Sequence, residues 1–218
     1  MGFLDFIIGA MASVLMFFYN ITDMIGYPNF GLAIILLTVA IRVILYPMTV
    51  KQIRSMKAMQ ELQPKVKEIQ AKYKGNNEKL GKEMTRLYKE SGVNPIAGCL
   101  PLLIQLPFLL LVFYVLKDFD YGVLVHNFLW IQNLGVPDPM YILPALAAIT
   151  TFIQQKQTTV EMNSQAKMML YIMPFAIGYI SLEFSSGLVL YWVTGNVIQI
   201  IQQWFINRGE FPVSKEAK

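Results

Sequence analysis

The sequence predicts an all-α polytopic membrane protein, with five transmembrane helices, an N-terminal interfacial helix and a cytoplasmic helical hairpin. Three observations lead there. Hydrophobic side chains make up 55% of the 218 residues and charged ones only 15%; the mean hydropathy of +0.46 is too apolar for an ordinary water-soluble domain. Five stretches, 29–48, 96–117, 139–158, 165–182 and 186–206, are apolar enough and long enough to span, and none holds Asp or Glu. Between the first two, residues 49–95 carry eleven Lys or Arg against five Glu, so that segment belongs in water.

The elements follow in chain order. Residues 3–20 are apolar but lack the positive leader of a signal peptide, and Asp5, Gly9, Ala12, Ser13 and Asn20 fall on one narrow helical stripe. They read as a helix lying on the outer leaflet before the turn Gly26-Tyr27-Pro28, so 1–28 forms an extracytoplasmic N-terminal unit; a sixth span is the alternative. Residues 29–206 form the five-span core. Inside it the hairpin, 50–91, has arms at 50–73 and 78–91 around Gly75-Asn76-Asn77, a helix stop followed by turn residues. Its apolar positions, Met56, Met59, Val66 and Ile69 against Leu80, Met84 and Leu87, give only a thin seam, which predicts mobility. Residues 207–218 are a short cytoplasmic tail.

Basic residues beside spans stay in the cytoplasm. With the hairpin inside, the N-terminus is outside and the C-terminus inside, and the charges sort to +8 inside against −5 outside. The remaining positive charge is Arg42, within the first span and roughly 9 Å from its cytoplasmic end at about 1.5 Å per residue. Placing a guanidinium there costs roughly 2.5–3.5 kcal/mol on insertion scales, and arginine cannot shed its proton to escape. No span supplies an acid.

Neutral polar groups are available instead. Thr38 lies one turn before Arg42 and Tyr46 one turn after. Gln105 is in the second span, and Gln154 and Gln155 are toward the inner end of the third. In the fifth, Trp192, Asn196, Gln199 and Gln203 recur at i, i+4, i+7 and i+11 along one face. Together these groups predict a hydrated groove holding a positive charge. The competing reading makes the amides interhelical glue and lets the arginine snorkel to the interface.

Enzyme chemistry is not supported. No span carries paired carboxylates, and His126 falls on an outer connection away from Ser185 and Ser186. The single Cys99 excludes an intramolecular disulfide and a cysteine zinc cluster, and no phosphate-binding loop occurs. The sequence therefore predicts no catalytic residue, no metal and no cofactor.

Three segments, GLAIILLTVAIRVILYPMTVKQIRSMKAMQELQPK (31–65), NPIAGCLPLLIQLP (94–107) and SSGLVLYWVTGNVIQIIQQ (185–203), resemble the YidC family of membrane protein insertases. The resemblance runs from about residue 29 to 206. It implies a five-span core that moves short polar segments of nascent membrane protein clients from the cytoplasm into or across a bacterial plasma membrane. It also implies Sec-independent insertion, and chaperoning of folding beside the Sec translocon. The family's groove arginine matches Arg42, its threonine one turn earlier Thr38, its second-span glutamine Gln105, and its fifth-span aromatic pair Tyr191 and Trp192. The partners implied are clients, the lipid bilayer, the Sec translocon, the ribosome and the signal recognition particle pathway, without direct nucleic-acid readout.

Two departures stand out. The chain lacks the large periplasmic domain of Gram-negative members and so looks like the short Gram-positive type, yet it also lacks that type's lipoprotein cysteine. Its short tail argues against ribosome docking through a long C-terminal extension. Two rival functions fit the intramembrane charge: a small anion transporter binding its solute at Arg42, and an assembly subunit whose arginine meets another protein's acid. A transporter should show inverted repeats and interrupted helices, and neither is evident.

Overall fold

The computed structural model describes residues 3–92, 109–115, 127–158 and 164–208. The chain forms α1 (Phe3–Met24), α2 (Phe30–Ile44), α3 (Tyr46–Lys72), α4 (Asn77–Glu90), α5 (Ile142–Thr158), α6 (Ser164–Ile180) and α7 (Ser186–Arg208). Residues 109–115 are also helical. Among the described residues there is no strand, only an isolated bridge between Phe128 and Ile131. The all-α class predicted from the sequence is the class observed.

A tight turn joins α1 to α2. Gly26 takes the left-handed conformation there (φ 81°), which a glycine adopts without steric cost. Asn29 then caps α2, its Oδ1 accepting from Leu32 N at 3.0 Å. α1 extends beyond the expected 3–20, and over Phe6–Met24 it is long and apolar enough to cross a bilayer by itself. It packs on α2 through Leu15 and Tyr19, the latter ring 5.8 Å from Phe30.

The first expected span, 29–48, is not one helix. α2 ends at Ile44 and α3 starts at Tyr46, with a bend of 64° between them. Pro47 explains the break: in a continuous helix its ring would clash with the carbonyl of Val43 and remove a hydrogen bond, whereas in the first turn of α3 neither penalty applies. Arg42 consequently sits in the last turn of α2 rather than well inside a longer span, at the helix end where the dipole favours a cation.

α3 and α4 pack on each other across a turn, with Gly75 at φ 93° and Asn76 capping α4 through a 3.0 Å bond from Lys79 N. α4 buries none of its residues. The root is better fixed, because Val50 and Ile53 pack with Tyr46 against Ile206 of α7.

α5 is central to the rest of the bundle, packing on both α6 and α7, while α7 also packs on α2. A Cβ on Gly178 of α6 would stand 2.9 Å from that of Ala148, so α5 and α6 meet on small residues. At the end away from the hairpin, residues 127–141 fold over the helices. Ile131 and Leu134 enter the core beside Phe30, Ile34, Leu143 and Leu188. Asp138 fixes this cap: Oδ2 accepts from Leu143 N at 2.7 Å, and Oδ1 accepts from Met140 N and Trp130 Nε1, each at 3.0 Å. Of the second expected span, 96–117, only 109–115 is described, and its Val112 and Val115 are buried in the same core.

Candidate functional site

Polar side chains gather on the hairpin side of this apolar core, and α7 supplies most of them. Its helical repeat lines up Trp192, Asn196, Gln199 and Gln203 as the spacing requires, and its two neighbours share the stripe. Toward α5, Trp192 Nε1 donates to Thr151 Oγ1 at 3.1 Å. Asn196 Nδ2 donates to Thr150 Oγ1 at 3.1 Å and to Thr151 Oγ1 at 3.0 Å, and Gln203 Nε2 donates to the Gln157 carbonyl at 3.0 Å. Toward α2, Gln199 Oε1 accepts from Arg42 Nη1 at 2.9 Å. Gln202 Nε2 also reaches the Arg42 carbonyl, at 3.3 Å.

The remaining candidates are placed less uniformly. Thr38 is buried and donates to its own helix, to the Ile34 carbonyl at 2.6 Å, so its proton is committed to backbone. Tyr191 is packed in the apolar core. Gln154 and Gln155 are half-buried on α5, one turn beyond Thr150 and Thr151. Gln105, Cys99 and His126 lie outside the described residues. Direct bonds thus unite Arg42 with Gln199, and a shared Thr151 unites Trp192 with Asn196.

The buried side-chain oxygens of Gln157, Gln202 and Gln203 have no hydrogen-bond partner among the described residues. Buried amide oxygens are ordinarily satisfied by protein or by ordered water. Among the described residues no three His, Cys, Asp or Glu side chains come together to hold a metal.

Residues 20–214 match the family model described as 60Kd inner membrane protein. A membrane protein insertase YidC of Alkalihalophilus pseudofirmus is 45% identical over 184 residues, covering 81% of this chain and 72% of that protein. The chain belongs to the YidC family of membrane protein insertases. Another YidC relative, from Fusobacterium nucleatum, is 42% identical over 206 residues, covering 93% of this chain and 98% of its own length. The fold is similar to a crystal structure of an active YidC insertase with the first transmembrane domain resolved. The TM-score is 0.69 at 29% identity, over 92% of this chain and 46% of that one.

In this YidC-family chain, sequence reasoning missed Thr150 and Thr151. Both accept from Asn196, yet threonines in an apolar run read as neutral filling. The signal was present: Thr150, Gln154 and Gln157 recur at i, i+4 and i+7, a second polar stripe facing the one on α7.

Proposed function

We propose that this chain inserts membrane proteins by giving short polar segments of its clients a hydrated, positively charged groove on the cytoplasmic side, and that it chaperones their folding. The observation that carries this reading is Arg42, held where α2 meets α7 by a neutral acceptor, Gln199, beside the hydroxyls and amides of α5. The opposite end of the bundle is closed by residues 127–141, whose Ile131 and Leu134 enter the apolar core. A client's polar segment entering from the hairpin side therefore has less apolar distance left to cross. Arg42 attracts acidic residues in that segment only moderately, because a hydrated charge acts through a high effective dielectric. Release follows as the client's apolar span is buried in lipid, at roughly 25 cal/mol per Å². No chemical step, metal or cofactor enters this mechanism.

The length of α2 supports a wet, thinned site. Its 15 residues extend about 22 Å at 1.5 Å per residue, short of a hydrocarbon core about 30 Å thick. Spanning then requires the bilayer to thin or water to reach in at the Arg42 end. We place five spans at α2, the second-span segment 96–117, α5, α6 and α7, with the hairpin and C-terminus cytoplasmic and the N-terminus outside, on the strength of the basic excess. α1 is placed as an interfacial helix because its exposed face has a small and polar edge (Gly9, Ser13, Asn20) beside an apolar one (Phe6, Val14, Phe17). Arg208 stacks over Trp204 at 3.8 Å near the end of α7, a pairing suited to the membrane boundary. Sec-independent action, and contact with the Sec translocon, the ribosome and the signal recognition particle pathway, are taken from the family alone.

A photoreactive amino acid at Gln154, in membranes programmed with nascent clients, tests the reading. Crosslinks to several clients of unrelated sequence are expected. Crosslinking to one constant resident protein, whatever the client, would favour an assembly subunit and overturn it.

A further inference from the structure

Gly195 lies on α7, one turn before Gln199, and is buried. A Cβ built on it would stand 3.0 Å from Nη2 of Arg42, 3.6 Å from Nε and 3.7 Å from Cζ. Three atoms of the guanidinium group thus crowd the point where α7 carries no side chain. Its backbone is not left-handed, unlike that of Gly26, Gly75 and Gly92, so conformational freedom does not account for a glycine here. Glycine is a poor helix former in a helix interior. What the position supplies is room.

We infer that Gly195 is a positioning residue for Arg42. The missing side chain lets the guanidinium approach α7 closely enough for Nη1 to reach Gln199 at 2.9 Å. It thereby directs the charge to the face shared by α2 and α7, and away from the exposed side of α2 that carries Val39 and Val43. An added methyl group meets the far end of a flexible side chain rather than backbone. The arginine therefore moves while the helices stay in place.

The consequence for clients rests on the proposed function, whereas the placement of Arg42 can be read without it. In membranes containing the full chain, the rate of phenylglyoxal modification is followed peptide by peptide, with the exposed Arg54, Arg86 and Arg208 as internal references. Gly195→Ala should raise the Arg42 rate several-fold and leave the references unchanged. In parallel, the ratio of acidic-tailed to neutral-tailed client insertion should fall several-fold. Lysine has no counterpart of Nη2, so in an Arg42→Lys background Gly195→Ala should add nothing.

An unchanged Arg42 rate overturns the inference, as does an equal loss of both client classes at that unchanged rate. A raised rate with an unchanged client ratio upholds the positioning role and sinks electrostatic recruitment. If Gly195→Ala fails to accumulate in the parent chain but accumulates when combined with Arg42→Lys, the clash with the guanidinium is upheld. Failure in both backgrounds makes Gly195 a helix-packing residue and overturns the inference.

Discussion

Nη1 of Arg42 donates to Oε1 of Gln199 at 2.9 Å, joining the last turn of α2 to the middle of α7. The acceptor is a neutral amide, so it orients the guanidinium without cancelling its charge. Gln199→Glu keeps the shape and supplies a carboxylate. We expect it to depress insertion of acidic-tailed clients toward the level of Arg42→Ala while neutral-tailed clients lose much less. Gln199→Leu removes the acceptor, and a bond to a charged group contributes roughly 1.5–3 kcal/mol; thermal unfolding in detergent should register a loss of that order. Equal insertion of acidic-tailed clients by Gln199→Glu and the parent would show that the charge at this point does not recruit them.

Thr151 accepts from both Trp192 and Asn196 and so ties α5 to α7 twice. Thr151→Val preserves volume while removing the one oxygen that accepts both bonds. Interhelical polar bonds in membrane proteins average about 0.6 kcal/mol with a maximum near 1.7, so a modest fall in unfolding temperature is expected. Insertion of acidic and neutral clients should fall alike, which marks the glue component of the stripe. A selective loss of acidic clients would assign Thr151 to recruitment instead.

Asp138 terminates the closed end of the bundle by accepting from Trp130 Nε1 and from the backbone of Met140 and Leu143. Asp138→Ala removes the cap of α5, worth roughly 0.5–2 kcal/mol, and leaves Trp130 without this acceptor. Lower thermal stability and altered Trp130 fluorescence are expected in single-tryptophan variants. An unchanged melting curve would remove Asp138 from any structural role.

Much of the site is legible in the sequence because its periodicity survives in an apolar background. Trp192, Asn196, Gln199 and Gln203 stand out at helical spacing, and all four make bonds to α5 or α2. The turn between α3 and α4 is equally readable from Gly75 and Asn76. Thr38 illustrates the limit: it lies one turn from Arg42, but a threonine hydroxyl can satisfy itself on the carbonyl four residues back, and here it does so with Ile34. The break at Leu45 escapes a hydropathy reading because the residues immediately around it, 43–48, are apolar on both sides, and hydropathy does not register a bend. Asp138 counts in the sequence only as an outer charge, since capping depends on a loop geometry that spacing does not encode.

The hairpin's two ends differ in support. Val50 and Ile53 are buried against Ile206, whereas α4 buries nothing, and its pairs Lys82–Glu78 and Arg86–Glu90 are solvent-exposed. Such surface pairs add little. Amide hydrogen exchange should therefore be fast along α4 and the tip at Gly75, and slow in α5 and α7. Protection of α4 equal to that of α7 would contradict a mobile hairpin.

The charge itself is tested by comparing Arg42→Ala and Arg42→Lys at equal protein abundance, using two clients that differ only in whether the translocated tail is acidic or neutral. Lysine keeps the positive charge but loses the planar fork that reaches Gln199. Electrostatic recruitment predicts that lysine retains insertion of the acidic-tailed client, that alanine loses it, and that the neutral-tailed client is mildly affected by either. If alanine inserted the acidic-tailed client as well as the parent does, recruitment by Arg42 would be contradicted and the polar lining alone would have to carry insertion.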